Sequence, residues 1–169
     1  AQDGTLDINF GSGGKVLTTH GGPNNQGAYD MALQNDGKIV MAGSIVNGSH
    51  QDFALIRYNI DGSLDNTFGN NGIVSTSIGN DQDIAVSVAI QNDGKIVVVG
   101  SSRNSPQHHF ALVRYNINGT LDSTFDNDGI VITSNGSART VIIQSDGKIL
   151  VAGISSNSTN TISNCALVR

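Results

Sequence analysis

The 169-residue sequence predicts an all-β protein made of three copies of one four-stranded antiparallel unit. Three observations lead there. The first is an internal repeat. Asp36-Gly37-Lys38-Ile39 returns as Asp93-Gly94-Lys95-Ile96 and as Asp146-Gly147-Lys148-Ile149. Ala54-Leu55-Ile56-Arg57 returns as Ala111-Leu112-Val113-Arg114 and as Ala166-Leu167-Val168-Arg169. A third landmark keeps the same order: Asp3-Gly4-Thr5-Leu6-Asp7 with Phe10, then Asp61-Gly62-Ser63-Leu64-Asp65 with Phe68, then Asn118-Gly119-Thr120-Leu121-Asp122 with Phe125. The period is 53 to 58 residues. The second observation is the Asn/Ser-Asp-Gly-Lys turn in every copy, where glycine accepts positive φ and closes a hairpin. The third is composition: 21 Gly, 14% charged and 5% aromatic residues, rich in Asn, Ser, Thr, Ile and Val, with no sustained 3.6-residue periodicity.

Taken in order, each unit reads as four strands. Residues 15–19, 73–77 and 130–133 form the first, β-branched and following a glycine. Residues 28–34, 85–91 and 138–144 form the second, and 38–44, 95–101 and 148–154 the third. Residues 53–58, 110–115 and 165–169 form the fourth. Four antiparallel strands recurring at this period are the pattern of a β-propeller blade. The blades are expected at about 14–59, 72–116 and 129–169, with connectors 3–13, 61–71 and 118–128, in a single repeat domain spanning 1–169.

The motifs carry a resemblance. The strand opening Asp36-Gly37-Lys38-Ile39-Val40, the strand Ala54-Leu55-Ile56-Arg57-Tyr58 and the connector Asp61-Gly62-Ser63-Leu64-Asp65-Asn66-Thr67-Phe68-Gly69 are similar to the bacterial delta-60 repeat. The resemblance covers essentially the whole chain. It implies a propeller-like fold and a secreted or cell-surface bacterial location, and it brings no activity or catalytic residues with it. Three positions depart from the pattern: Asn118 stands for the turn Asp, Asp126 for the Gly after Phe, and Cys165 for the strand Phe.

Propellers close with about four to eight blades, and a three-blade arc would expose two apolar blade faces. Residues 3–14 are a connector that elsewhere follows a fourth strand, and Arg169 ends a fourth strand that elsewhere precedes a connector. The expectation is a homodimer, two chains joined head to tail in both directions as a six-bladed ring with twofold symmetry. The alternative is a fragment of a longer array. The joint would use Asp7, Phe10 and Arg169. Recurring Arg57, Arg114 and Arg169, with Asp7, Asp65 and Asp122, read as scaffold ion pairs. Arg169→Ala is thus expected to weaken the dimer more than Arg57→Ala.

Nine Lys and Arg against 14 Asp give a net charge of −5, which argues against a nucleic-acid or lipid surface. No apolar run approaches a membrane span. One cysteine excludes an internal disulfide and a Cys-based zinc site, and Cys165, at a strand Phe position, reads as a packing thiol. No zinc-protease, nucleophile-elbow or phosphate-loop motif occurs, so no cofactor and no metal are expected. Asp126-Asn127-Asp128-Gly129 has calcium-loop character but lacks the closing Glu, and a turn is the better reading. Asp30 and Arg139 occupy one varying strand position and read as polar strand-face residues.

Function is expected where the copies differ. The 2–3 turns and connectors are nearly identical, whereas residues 20–27, 46–51, 77–83, 103–109, 134–137 and 155–164 vary. Variable loops on a rigid scaffold are where recognition sits. The candidate binding residues are His20, Asn47, His50, Asp81, Asp83, Arg103, His108 and His109, with a glycan or protein as ligand and no catalytic residue named. The competing reading is a hydrolase or lyase acting on an extracellular polysaccharide or other polymer.

Overall fold

Glycine-marked turns and β-branched runs fold into ten strands in a computed structural model that describes residues 3–19, 27–156 and 163–169. They are β1 (Gly27–Leu33), β2 (Ile39–Asn47), β3 (His50–Tyr58), β4 (Ile73–Thr76), β5 (Asp83–Ile90), β6 (Ile96–Asn104), β7 (Gln107–Tyr115), β8 (Ile130–Ile143), β9 (Ile149–Ser156) and β10 (Ser163–Val168). Every pairing between these strands is antiparallel. The strands form a four-stranded sheet, β1-β2-β3-β4, and a six-stranded sheet, β10-β9-β8-β7-β6-β5. Among the described residues neither sheet closes on itself. The Asn-Asp-Gly-Lys turn is as expected, with Gly37, Gly94 and Gly147 each at φ 83°.

One grouping differs from expectation. The repeat alignment has residues 73–77 open a unit ahead of 85–91, and 15–19 open one ahead of 28–34. In the structure β4 instead pairs with the preceding strand, Ile56 opposite Ile73 and Phe53 opposite Thr76. The connector explains this. Arg57 N donates to Gly72 O and Asp65 N donates to Arg57 O, both at 2.9 Å, so the chain is folded back against β3 before it can leave. Residues 15–19 form no strand; a single bridge joins Gly11 to Lys15.

The shorter spacing between the second and third copies has a structural consequence. Eight residues lie between Thr76 and Ala85, but four between Thr133 and Ala138. The loop that joins β4 to β5 therefore has no room in the next copy, and the two strands fuse into the 14-residue β8. Its first half pairs with β7 and its second half with β9, which merges what would be separate sheets.

A register shift recurs between Ala28 and Asp30, Ala85 and Ser87, and Ala138 and Thr140, a β-bulge at one place in every copy. Opposite it lie Gly43, Gly100 and Gly153. A Cβ on Gly100 would run into the Ile84 carbonyl oxygen, so close backbone approach dictates glycine here.

Strand β6 is covered on both faces. Ile96 and Val98 pack with Phe53, Phe68 and Tyr115, while Val97 and Val99 pack with Phe110 and Val141. This double burial accounts for the unbroken apolar run Ile96-Val97-Val98-Val99. Between layers, the buried Tyr115 hydroxyl donates to Thr76 Oγ1 at 2.8 Å, and burial pushes its phenol well above the usual range. Tyr58 Oη donates likewise to Thr18 Oγ1 at 2.7 Å. Thr133, the third member of that series, has its hydroxyl buried without a partner among the described residues.

Candidate functional site

The candidate binding residues stand along the edge formed by two long hairpins. Strands β2 and β3 extend past their aligned repeat ends to a two-residue turn, with Asn47 paired opposite His50 and Gly48 at φ 65°. Strands β6 and β7 do the same, pairing Arg103 with His108 and Ser102 with His109. Asn47, His50, Arg103, His108 and His109 therefore lie on strand ends, whereas the sequence placed them in open loops. Paired tip residues hold extended backbone right up to the turn.

The 77–82 loop is stitched between the two hairpins. Gln82 bridges Gln51 on one side, and on the other its carbonyl accepts from Arg103 N at 2.8 Å. Asn80 N donates to Asn104 Oδ1 at 3.1 Å. Asp83 is buried, and its Oδ2 accepts from Ile78 N at 2.7 Å and from Gly79 N at 2.9 Å. Asp83 is thus the clamp of the loop, and it does not present its charge to solvent. Asn47 donates to the buried Asp52 at 2.9 Å, and Ser75 donates to the same carboxylate oxygen at 3.0 Å. Asp52 was not singled out from sequence, because a lone carboxylate in a β-rich run carries no motif.

Of the candidates, the structure brings Asp81 and Arg103 into contact. Arg103 Nε lies 3.4 Å from Asp81 Oδ2, an ion pair with both side chains about one-third exposed. His108 adjoins that pair through the β6–β7 register, and His50 stands exposed on the neighbouring tip. His20 lies outside the described residues.

The opposite edge is built from the repeated charges. Asp65 Oδ2 receives Arg57 Nε at 2.7 Å and Lys38 Nζ at 2.9 Å, while Oδ1 receives the Thr67 hydroxyl at 2.6 Å and the Thr67 amide at 3.1 Å. Burial alone would raise this carboxyl, but those donors outweigh it and hold it far below the carboxylate range. Asp122 repeats the set with Arg114 at 2.7 Å, Lys95 at 2.9 Å and Thr124 at 2.7 Å. The Thr124 hydroxyl leads in lowering it, followed by Lys95. Each guanidinium also lies over a ring, Arg57 at 4.3 Å from Phe68 and Arg114 at 4.4 Å from Phe125. Arg57 additionally donates to Gln34 Oε1 and to the Ile117 carbonyl. These carboxylates are occupied by the fold.

The remaining sequence candidates also find structural places. Asp128 accepts from Ile130 N at 2.8 Å, with Asp126 and Asn127 at positive φ, which makes the 126–129 segment a turn capped by its own carboxylate. Asp30 Oδ2 accepts from the Ser87 hydroxyl at 2.8 Å and from Val88 N at 2.9 Å, tying β1 to β5. Arg139 is exposed at the bulge, and it does not share Asp30's position as the sequence had it: in register the matches of Asp30 are Ser87 and Thr140, one residue further on. Cys165 corrects its expectation as a packing thiol: it is exposed, where Phe53 and Phe110 are buried. Among the described residues, the strands that flank β3 and β7 on their outer sides, β4 and the first half of β8, have no counterpart beside β10. Two apolar recesses, of about 350 and 560 Å³, are lined by none of the hairpin-tip residues.

A family described as a beta-propeller domain of unknown function (DUF5122) matches residues 34–68, 91–125 and 144–169, more than half of the chain. The chain belongs to this family. The matched segments begin at the Gln before each hairpin turn, and the first two end on the Phe of the connector, so they take in the clamp residues and the hairpin tips alike. No curated protein matches the chain. Among the described residues no helix is long and apolar enough to cross a membrane.

Proposed function

We propose that the protein is a non-catalytic binding scaffold, a delta-60-type propeller of a secreted or cell-surface bacterial protein that closes its ring by pairing two chains. Recognition falls on the hairpin-tip edge, to a glycan or protein ligand. The observation that carries this reading is the contrast between the two edges. The repeated carboxylates are consumed in backbone caps and buried ion pairs, whereas Asp81, Arg103, His108 and His50 differ between copies and stand on tips fastened to one another. Rigid polar tips without a converging pair of carboxylates suit binding better than hydrolysis.

The test is an array of glycans and extracellular polymers, read for both retention and product release. Retention without product is expected, and it should be lost both in Asp81→Ala and in the Arg103→Ala, His108→Ala double variant. Released product would overturn the non-catalytic reading. Retention indifferent to both variants, or no retention at all, would overturn the hairpin-tip assignment.

A further inference from the structure

We propose that Asn47 is a self-modifying site. At the tip of the β2–β3 hairpin the Gly48 amide attacks the Asn47 side chain and converts residue 47 to aspartate and isoaspartate, while the fold protects the other Asn-Gly pairs of the chain. This goes beyond the binding reading and stands whether or not the tip holds a ligand.

In an Asn-Gly pair the side-chain amide is open to the next backbone nitrogen, because glycine has no Cβ to keep that nitrogen away. The chain has such pairs at 47–48, 71–72, 118–119 and 135–136. The fold separates them. Gly72 N donates to Phe68 O at 2.8 Å and Gly119 N to Asn116 O at 2.9 Å, turn hydrogen bonds that occupy the nucleophile. Asn118 is held further, since its Oδ1 accepts from the Thr120 amide at 3.1 Å and from the Thr120 hydroxyl at 2.8 Å. Gly136 is buried within β8, paired with Ser155. The Asp-Gly turns follow the same rule: Gly37, Gly94 and Gly147 donate to Gln34, Gln91 and Gln144, each at 2.9 Å.

Gly48 is the exception. It opens the two-residue turn Gly48-Ser49, closed by the pairing of Asn47 with His50. Its N donates no hydrogen bond among the described residues. Gly48 stands at φ 65° with no described atom within 4 Å of the place a Cβ would take, and both Asn47 and Gly48 are exposed. To bring Asn47 Cγ onto Gly48 N, the last rung of the ladder and the bond from Asn47 Nδ2 to Asp52 Oδ2 have to open. The end of a hairpin is the part of a sheet that opens most readily.

The reaction balances with water alone. Gly48 N gives its proton to hydroxide and forms a bond to Asn47 Cγ. The Cγ–Nδ2 bond breaks, and Nδ2 takes a proton from water and leaves as ammonia. Water then opens the cyclic imide at either carbonyl. One opening gives aspartate; the other gives isoaspartate, with the chain running through the side-chain carbons.

The conversion acts through what Asn47 touches. Its Nδ2 donates to Asp52, a carboxylate 3% exposed, and Ser75 Oγ donates to the same oxygen. A carboxylate at residue 47 removes one of those donors and sets a like charge against a buried one. Isoaspartate also lengthens the backbone at the rung that fixes the register of the tip. The tip is tied to the 77–82 loop through Ser75 on Asp52 and through the bridge from Gln51 to Gln82, so the loop that carries Asp81 loosens with it. The tip edge therefore ages where the clamp edge, rich in the same kind of dipeptide, does not.

The test is timed peptide mapping of the whole chain in mildly alkaline buffer, once folded and once in urea. Trypsin releases Ile39–Arg57, in which Asn47 is the one asparagine, so its conversion is read alone. In the folded chain this peptide should gain the mass of amide-to-acid exchange and accept isoaspartate-specific carboxyl methylation. It should convert at least roughly tenfold faster than Asn71, Asn118 and Asn135, whose neighbours must first give up a turn or ladder hydrogen bond. Gly48→Ala should slow it by a comparable factor, and in urea the four sites should converge in rate. Equal rates at the four sites in the folded chain would overturn protection by the fold. An Asn47 that stays unconverted would overturn the site, and conversion indifferent to Gly48→Ala would overturn backbone attack. Asn47→Asp, which installs one product directly, should speed hydrogen exchange at the Ile78 and Gly79 amides that Asp83 holds. Unchanged exchange there would overturn the coupling of tip and loop.

Discussion

At the scale of single residues, a charge's role follows from how many donors surround it. Asp65 has four donors from three side chains and one backbone amide, and its Arg57 partner is only 5% exposed. Removing one partner of such a pair strands the other in the interior, which costs about 3 kcal/mol. Asp65→Asn should therefore lower unfolding free energy by about that much in urea titration. Asp81→Asn, at a pair about one-third exposed, should cost under about 1 kcal/mol. The same clamp sets a pH dependence. The Asp65 carboxyl is held below its ordinary 3.8, so between the two values the unfolded chain binds more protons than the folded one. The stabilisation is complete above about pH 4 and is lost as pH falls further. Thermal unfolding should show a Tm that declines steeply below pH 4, and Asp65→Asn should flatten that decline. Sequence pointed to these Arg–Asp pairs through their recurrence, but the lysines joining them were legible only as turn residues. The burial of Asp52 and Asp83 left no mark at all, because a lone Asp has no periodicity to reveal what covers it.

At the scale of elements, bulge and turn use glycine for different reasons. Gly100 has ordinary backbone angles but faces the Ile84 carbonyl, so a methyl group there must push strand β5 aside. Gly48 sits at φ 65° with open space around it, and substitution there costs only the left-handed conformation. Gly100→Ala should destabilise by about 2–3 kcal/mol, and Gly48→Ala by about 1–2 kcal/mol, both read by urea unfolding. The strands were largely legible, since turn chemistry and β-branched runs mark them locally. Their grouping was not. Whether residues 73–76 join the sheet before or after them depends on how the connector folds back on Arg57, a long-range pairing that no local signal encodes. The fusion of β8 was visible only as a shortened spacing, and its meaning needed the partner strands.

At the scale of the whole molecule, repetition makes every exposed surface interpretable. Leu167, Met31, Cys165 and Asp7 are exposed where their counterparts in the other copies are buried. Arg169→Ala should raise the dissociation constant for self-association by at least roughly tenfold, measured by sedimentation, since truncating a desolvated charge partner costs well over 1.4 kcal/mol. Arg57→Ala should instead lower the stability of each chain. The most direct measurement is hydrogen exchange at the amides of residues 15–18 in concentrated solution, compared with β4. If the pairing of two chains closes the ring, these amides exchange slowly, alternating as those of Ile73–Thr76 do, and lose their protection on dilution. Exchange at the rate of open chain at every concentration, while β4 stays protected, would contradict the ring.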